Sequence, residues 1–190
     1  DHREVQGHLY HIKYRLADTP DRFIVVATTR PETLLGDTAV AVHPSDARYA
    51  GLVGWRVILP AIGRQIPIIA DEAVDTAFGT GALKVTPGHD PVDFEIGQRH
   101  GLPTVNVMNL DATLNENAGP YRGMERFACR RRLIADLERD DLLVKVEPHI
   151  HMVGHCYRCR TMVEPIVTRQ WFVKIEPLAT PAIAAVMDGR

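Results

Sequence analysis

Trp55-Arg56-Val57-Ile58-Leu59 and Gln65-Ile66-Pro67-Ile68-Ile69, divided by Pro60 and Gly63, are two short β-prone runs. That pattern predicts a hairpin. Working outward, the chain repeats the device on both sides. Upstream, Leu9 to Leu16 alternates: Tyr10, Ile12, Tyr14 and Leu16 share one face, and His11, Lys13 and Arg15 share the other, the mark of a half-buried strand. Thr19-Pro20-Asp21 turns the chain into Arg22 to Thr29, and Thr38 to Val42 resumes an extended apolar run that stops at His43-Pro44. Downstream, Ala82 to Thr86 follows the flexible Phe78-Gly79-Thr80-Gly81. Short strands at intervals of ~8–12 residues predict a barrel or sandwich rather than a βαβ array. The expected class is α+β, rich in β-barrel, with a few peripheral helices.

Those helices are read from their punctuation. Asp90 suits an N-cap, Pro91 the first helical position and Asp93 the first turn; Gly101 closes the segment and Pro103 prevents its continuation. Ser45 predicts a cap for a short helix over 45–49, ended by Gly51. A longer helix is expected over about 124–139, with Phe127, Ile134 and Leu137 near one face. Beside them Arg130, Arg131 and Arg132 read as a solvated flank or a phosphate contact. Thr104 to Met108 and Leu142 to Glu147 read as further strands. Around Pro148 the character changes: His149, His151, His155, Cys156 and Cys159 crowd a short span, followed by an expected strand at Trp171 to Ile175 and an alanine-rich helix over about 181–187. A boundary near residue 147 would separate a body at 1–147 from a segment at 148–190.

With 190 residues, 45% hydrophobic and 24% charged, the composition is that of an ordinary globular chain. No run has the length of a membrane span, and the first residues lack a signal-peptide pattern. The 3 cysteines are an odd number and include Cys156-x-x-Cys159, which argues for a reducing compartment and against a disulfide framework. Cytoplasmic residence is the expectation. The net charge of −2 gives no basic surface, so an RNA partner would be met by a local patch.

No nucleophile elbow, Walker loop or dinucleotide fingerprint is present, and Ser45 and Cys129 lie in no nucleophile context. Two polar clusters remain. Thr28, Thr29, Arg30, Glu32 and Thr33 gather where the apolar Val25-Val26-Ala27 breaks at Arg30-Pro31. Lys84, Thr86, His89, Asp90 and Asp93 form the second, with Lys84 and Thr86 on one strand face and the two aspartates a helical turn apart. Facing each other across a barrel mouth, they would make a small pocket with carboxylates for an ammonium or hydroxyl and cations for a carbonyl oxygen or attacking water. Equally, Asp90 and Asp93 serve as capping groups, and Lys84 as a rim residue with a packed stem.

Thr28-Thr29-Arg30-Pro31-Glu32-Thr33-Leu34-Leu35-Gly36-Asp37 and Gly79-Thr80-Gly81-Ala82-Leu83-Lys84-Val85-Thr86-Pro87-Gly88-His89-Asp90-Pro91-Val92-Asp93-Phe94 closely resemble the two signature stretches of the editing domain inserted in class I aminoacyl-tRNA synthetases for valine, isoleucine and leucine. The resemblance continues through Gly123-Met124-Glu125-Arg126-Phe127 and Gln170-Trp171-Phe172-Val173. It is nearest the valine-specific form: the isoleucyl version usually has tryptophan where Glu32 stands, and the leucyl version usually lacks a lysine at Lys84. Neither ATP-binding signature of a synthetase is present, so ATP binding would belong to the rest of a full-length enzyme.

The resemblance implies an aminoacyl-tRNA deacylase acting on threonyl-tRNA for valine, and on threonyl-adenylate as a second candidate. It implies Thr28, Thr29, Arg30 and Lys84 as catalytic residues, with Thr28 and Thr29 lining the ester and Arg30 stabilising charge. It implies Glu32, Thr33, Thr86, His89, Asp90, Asp93 and Phe78 as substrate-binding. Among these, Asp93 would hold the ammonium, Asp90 would accept from the threonine hydroxyl, Thr33 would shape the pocket against the cognate amino acid, and Phe78 would stack on the terminal adenine. Direct attack by water follows from the missing nucleophile. The implied partners are a tRNA acceptor end carrying threonine and the rest of a synthetase chain, with a monomer and no membrane expected. No cofactor is expected in this stretch, and Cys156 and Cys159 would be half of a zinc site completed elsewhere in a full enzyme. Competing readings are a non-catalytic module for the tRNA acceptor end and an isoleucyl- or leucyl-type editing domain.

Overall fold

The computed structural model describes residues 1–189, and its body is a mixed seven-stranded sheet curled into a nearly closed barrel. The strands are β1 (His2–Leu16), β2 (Phe23–Thr28), β3 (Ala39–Val42), β4 (Arg56–Ile58), β5 (Gln65–Ala70), β6 (Ala82–Val85) and β7 (Leu143–Gly154). Their order is β2-β1-β4-β5-β3-β6, with β7 also on β1, and every pairing is antiparallel except β3 with β5. The two path ends approach each other where Thr80 Oγ1 donates to the Val25 carbonyl at 2.6 Å. β1 organises the sheet. One edge pairs with β2, and the other takes β7 along its first part and β4 at Arg15 and Leu16.

The alternation in β1 does what it predicts: Ile12, Tyr14 and Leu16 are buried together with Ile24, Val26, Val57, Leu59, Ile66 and Ile68 in the barrel core. β3 carries no alternation because both its faces are covered. Val40 and Val42 enter the main core, whereas Ala39 and Ala41 pack with Val74, Val85 and Ile96 beneath α1 (Pro91–His100). Asp90 caps α1 by accepting from the Val92 and Asp93 amides, and Gly101 closes it at φ 61°, the left-handed conformation that glycine adopts without penalty. α2 (Arg126–Arg139) starts two residues later than expected, because Glu125 accepts from the Phe127 and Ala128 amides and so becomes its cap.

Local side-chain bonds explain two of the departures. No helix forms over 45–49: the Ser45 hydroxyl is bonded to His43 Nδ1 at 2.7 Å, and Asp46 turns back onto the Arg48 amide. Thr104–Met108 does not become a strand. Its amides are taken by side chains, Val107 by His89 Nε2 and Met108 by Asn106 Oδ1, leaving a single bridge from Met108 to Leu114. Trp171–Ile175 pairs with nothing as a strand, and Trp171 is fully exposed. α3 (Glu176–Met187) begins a turn before the expected helix. The expected boundary near residue 147 falls inside β7, whose ladder with β1 continues to Gly154. Among the described residues no helix is long and apolar enough to cross a membrane.

Candidate functional site

A cavity of about 410 Å³ opens between the start of the Pro31–Gly36 3-10 turn, β6 and the N-terminus of α1. Thr28, Thr29, Arg30 and Thr33 form one wall; Lys84, Thr86, His89, Asp90 and Asp93 form the other, and Phe78 and Leu9 stand at the rim. The structure thus brings the two polar clusters together. Pro31 sets this up: placed at the first turn of the 3-10 segment, it stops β2 and folds Thr33 back, so that Thr33 Oγ1 donates to the Arg30 carbonyl at 2.9 Å.

Beneath the cavity lies a fully bonded polar network. Lys84 Nζ donates to Thr33 Oγ1 at 3.0 Å and to Thr86 Oγ1 at 2.5 Å, and it lies 3.4 Å from Asp37 Oδ1. Thr86 Oγ1 in turn donates to Asp37, and Tyr14 donates to the other Asp37 oxygen at 2.6 Å. Burial pushes the Asp37 carboxyl up from its ordinary range, while Lys84, Thr86 and Tyr14 pull it down. Sequence reading missed Asp37 and Tyr14 as members of the site. Asp37 sits within the first signature stretch, but Tyr14 reads only as a core position on β1.

Asp93 is buried against this network, accepting from the Thr86 amide at 2.8 Å, and burial raises its carboxyl to about 7 despite the pull of Lys84. Asp90 stays exposed and spends Oδ1 on the α1 cap. His89 is buried and neutral. Its Nε2 accepts from the Val107 amide, which leaves the proton on Nδ1, and burial with the neighbouring Arg30 and Lys84 holds it down to about 4. The ring therefore orients the 104–108 loop, while the His89 backbone carbonyl accepts from Arg30 Nη1 at 2.9 Å.

Glu32 departs from its expected role. It does not line the cavity: fully buried, it is held by Arg130 through Nε and Nη2 at 2.7 Å each. That pair also corrects the reading of the arginine triplet, since Arg130 points inward while Arg131 and Arg132 face solvent. Phe78 is half-exposed and meets His149 edge-on at 5.8 Å, and His149 stacks on His151 at 5.8 Å. Cys156 and Cys159 share a tight turn, closed by the Arg160 amide on the Cys156 carbonyl. Hydrogen bonding with Thr161 brings the Cys159 thiol down to about 7. His155 turns away to the Val153 carbonyl, and among the described residues no third ligand completes a metal set. Two thiols do not make a zinc site by themselves.

Comparison with known proteins agrees with this architecture. The family described as "Leucyl-tRNA synthetase, editing domain" matches residues 46–127. The valine–tRNA ligase of Dehalococcoides mccartyi strain 195 is 59% identical over 190 residues, all of this chain and 22% of the ligase. That of Thermotoga maritima is 54% identical over 189 residues, again 22% of its length. The chain therefore spans about a fifth of these relatives. Among solved structures, the ternary complex of Agrobacterium radiobacter K84 agnB2 LeuRS with tRNA and LeuAMS has a TM-score of 0.56 at 20% identity, covering 85% of this chain and 24% of that one. GlLeuRS-CP1 has a TM-score of 0.56 at 14% identity, covering 73% and 98%. Matched along its whole length by valine–tRNA ligases and folded like the leucyl editing domains, the chain is similar to the editing domains of class I aminoacyl-tRNA synthetases, and in sequence to those of the valyl type.

Proposed function

We propose that this chain hydrolyses the ester of threonine mischarged onto the tRNA for valine. The observation that carries the reading is the Lys84–Thr33–Thr86–Asp37 network beneath the cavity, joined through Thr86 to the buried carboxyl of Asp93. Threonine and valine are near isosteres, and an apolar pocket rejects the hydroxylated member poorly. A polar pocket reverses the preference, because valine leaves its hydrogen-bonding groups unpaired at a cost of ~1–3 kcal/mol. Asp93 holds the substrate ammonium, and the free oxygen of Asp90 accepts from the threonine hydroxyl. Arg30 offers its unspent N–H groups to the charge that develops on the ester oxygen.

The cavity wall holds hydroxyls but neither serine nor cysteine, and neutral His89 has its Nε2 committed to Val107. Attack by water fits this wall better than an acyl-enzyme. Threonyl-adenylate presents the same aminoacyl group and is a second candidate substrate. The deciding experiment compares deacylation of threonyl- and valyl-tRNA(Val) by this chain. Faster threonyl release is expected; equal rates, or a trapped covalent threonyl-enzyme, would overturn the specificity or the mechanism respectively.

A further inference from the structure

Behind the pocket, five charged side chains form one continuous series: Arg130, Glu32, Arg30, Glu164 and Arg126. Arg130 grips Glu32, whose Oε1 lies 3.9 Å from Arg30 Nε. Arg30 Nη2 donates to Glu164 Oε2, and Glu164 Oε1 lies 3.0 Å from Arg126 Nε, turned so that they form an ion pair without a hydrogen bond. Arg126 and Arg130 stand one turn apart on α2, so a single helix face brackets both carboxylates.

Glu164 is the odd member. Residues 163–175 form neither helix nor strand, and Val163 and Pro165 beside it are exposed, yet its side chain is only 7% exposed. A carboxylate is buried in an otherwise exposed segment only where cations compensate the lost water. One of its two cations lines the cavity.

We propose that Glu164 is a positioning residue that fixes the Arg30 guanidinium for the reaction. Guanidinium carries five N–H groups in a rigid fork. The His89 carbonyl occupies Nη1 and Glu164 occupies Nη2, so two bonds on different nitrogens set both the plane and the rotation of the fork. Its remaining N–H groups then face the cavity in one orientation instead of several. A donor aimed at developing charge accelerates a reaction only to the extent that it is already in place. Glu164 touches no cavity-lining group other than Arg30 in these bonds, so its influence on the ester passes through that side chain.

The inference rests on the deacylase reading, and its test separates the two. Threonyl-tRNA deacylation is measured for this chain with Glu164→Ala, Glu164→Gln, Arg30→Ala and the Arg30→Ala/Glu164→Ala double variant, alongside side-chain ¹⁵N spectra of the arginines. Glu164→Ala is expected to lower kcat about tenfold while KM moves less than twofold, because the lost interaction matters most at the transition state. Glu164→Gln, which keeps the shape and one acceptor, is expected to lose about threefold and serves if the alanine variant fails to fold. In the Arg30→Ala background the Glu164 change should cost nothing further. The Arg30 Nη signals, distinct while the fork is held, should average in either Glu164 variant. A full tenfold loss in the Arg30→Ala background, wild-type kcat in both Glu164 variants, or unaltered Arg30 signals would each overturn the proposal. If the wild-type chain shows no threonyl-tRNA turnover but the Arg30 signals still average, the deacylase reading falls and the positioning stands.

Discussion

Replacing Asp93 with asparagine isolates the most perturbed carboxyl of the pocket. The side chain is 5% exposed and titrates at about 7 instead of 3.8, chiefly because burial penalises the anion. The folded state therefore binds a proton more tightly than the unfolded chain does. This stabilisation is complete below about pH 4 and fades as pH rises to about 7, the reverse of a salt-bridged aspartate. Moving the carboxyl from 3.8 to about 7, at ~1.4 kcal/mol per pH unit, sets a ceiling of ~4 kcal/mol. The asparagine side chain would keep an oxygen for the Thr86 amide but would not titrate. Urea titrations of both proteins at pH 4 and pH 8, with identical salt, give the difference directly, because every other group cancels. The stability advantage of wild type over Asp93→Asn should shrink by several kcal/mol between the two pH values. A difference that is flat with pH, or that grows on going to pH 8, would refute the buried protonated carboxyl. The same variant should also lose the dependence of threonyl deacylation on ionisation near pH 7.

Three further perturbations follow from named contacts. Lys84→Met removes the cation beside fully buried Asp37 and should cost ~3 kcal/mol in urea titrations, with Asp37→Asn recovering part of the loss in the double variant. Asp90→Ala should lose ~1 kcal/mol of helix capping and weaken threonyl hydrolysis selectively, whereas Asp93→Ala should impair every aminoacyl substrate; small equal effects on hydrolysis would return both residues to a capping role. Gly88→Ala would place a methyl 2.5 Å from the Val105 carbonyl oxygen, a backbone atom that cannot swing aside, and should lower stability by ~1–3 kcal/mol as read by thermal melting.

The parts of the molecule that were legible in the sequence are those written locally. The alternation from Tyr10 to Leu16, the hairpin about Pro60 and Gly63 and the two caps of α1 each depend on residues a few places apart, and each is found. Partnerships between distant residues left no such trace. Glu32 and Arg130 are 98 positions apart, and Arg30 and Glu164 are 134 apart; nothing in either neighbourhood marks which charges will meet. Tyr14 looked like any other core residue because its ring packs as one, and only its hydroxyl reaches Asp37. The strand expected at Thr104–Met108 failed for a related reason. Its apolar residues are real, but His89 and Asn106 claim the amides that a ladder would need. At Trp171–Ile175 the apolar run is present but pairs with no strand among the described residues.

The long ladder between β1 and β7 also has a mechanical meaning. His2 pairs with Gly154, and Asp1 and His155 exchange backbone hydrogen bonds, so the start of β1 and the end of β7 lie side by side at one end of the ladder. A force that separates these two ends loads the rungs one at a time, as a zipper opens, rather than all together in shear. The peeling front would have to travel from His2 to Leu9 before it reached a residue on the cavity rim. Strain arriving at the tip is spent on the outer rungs, and the pocket is insulated from it by the length of the ribbon.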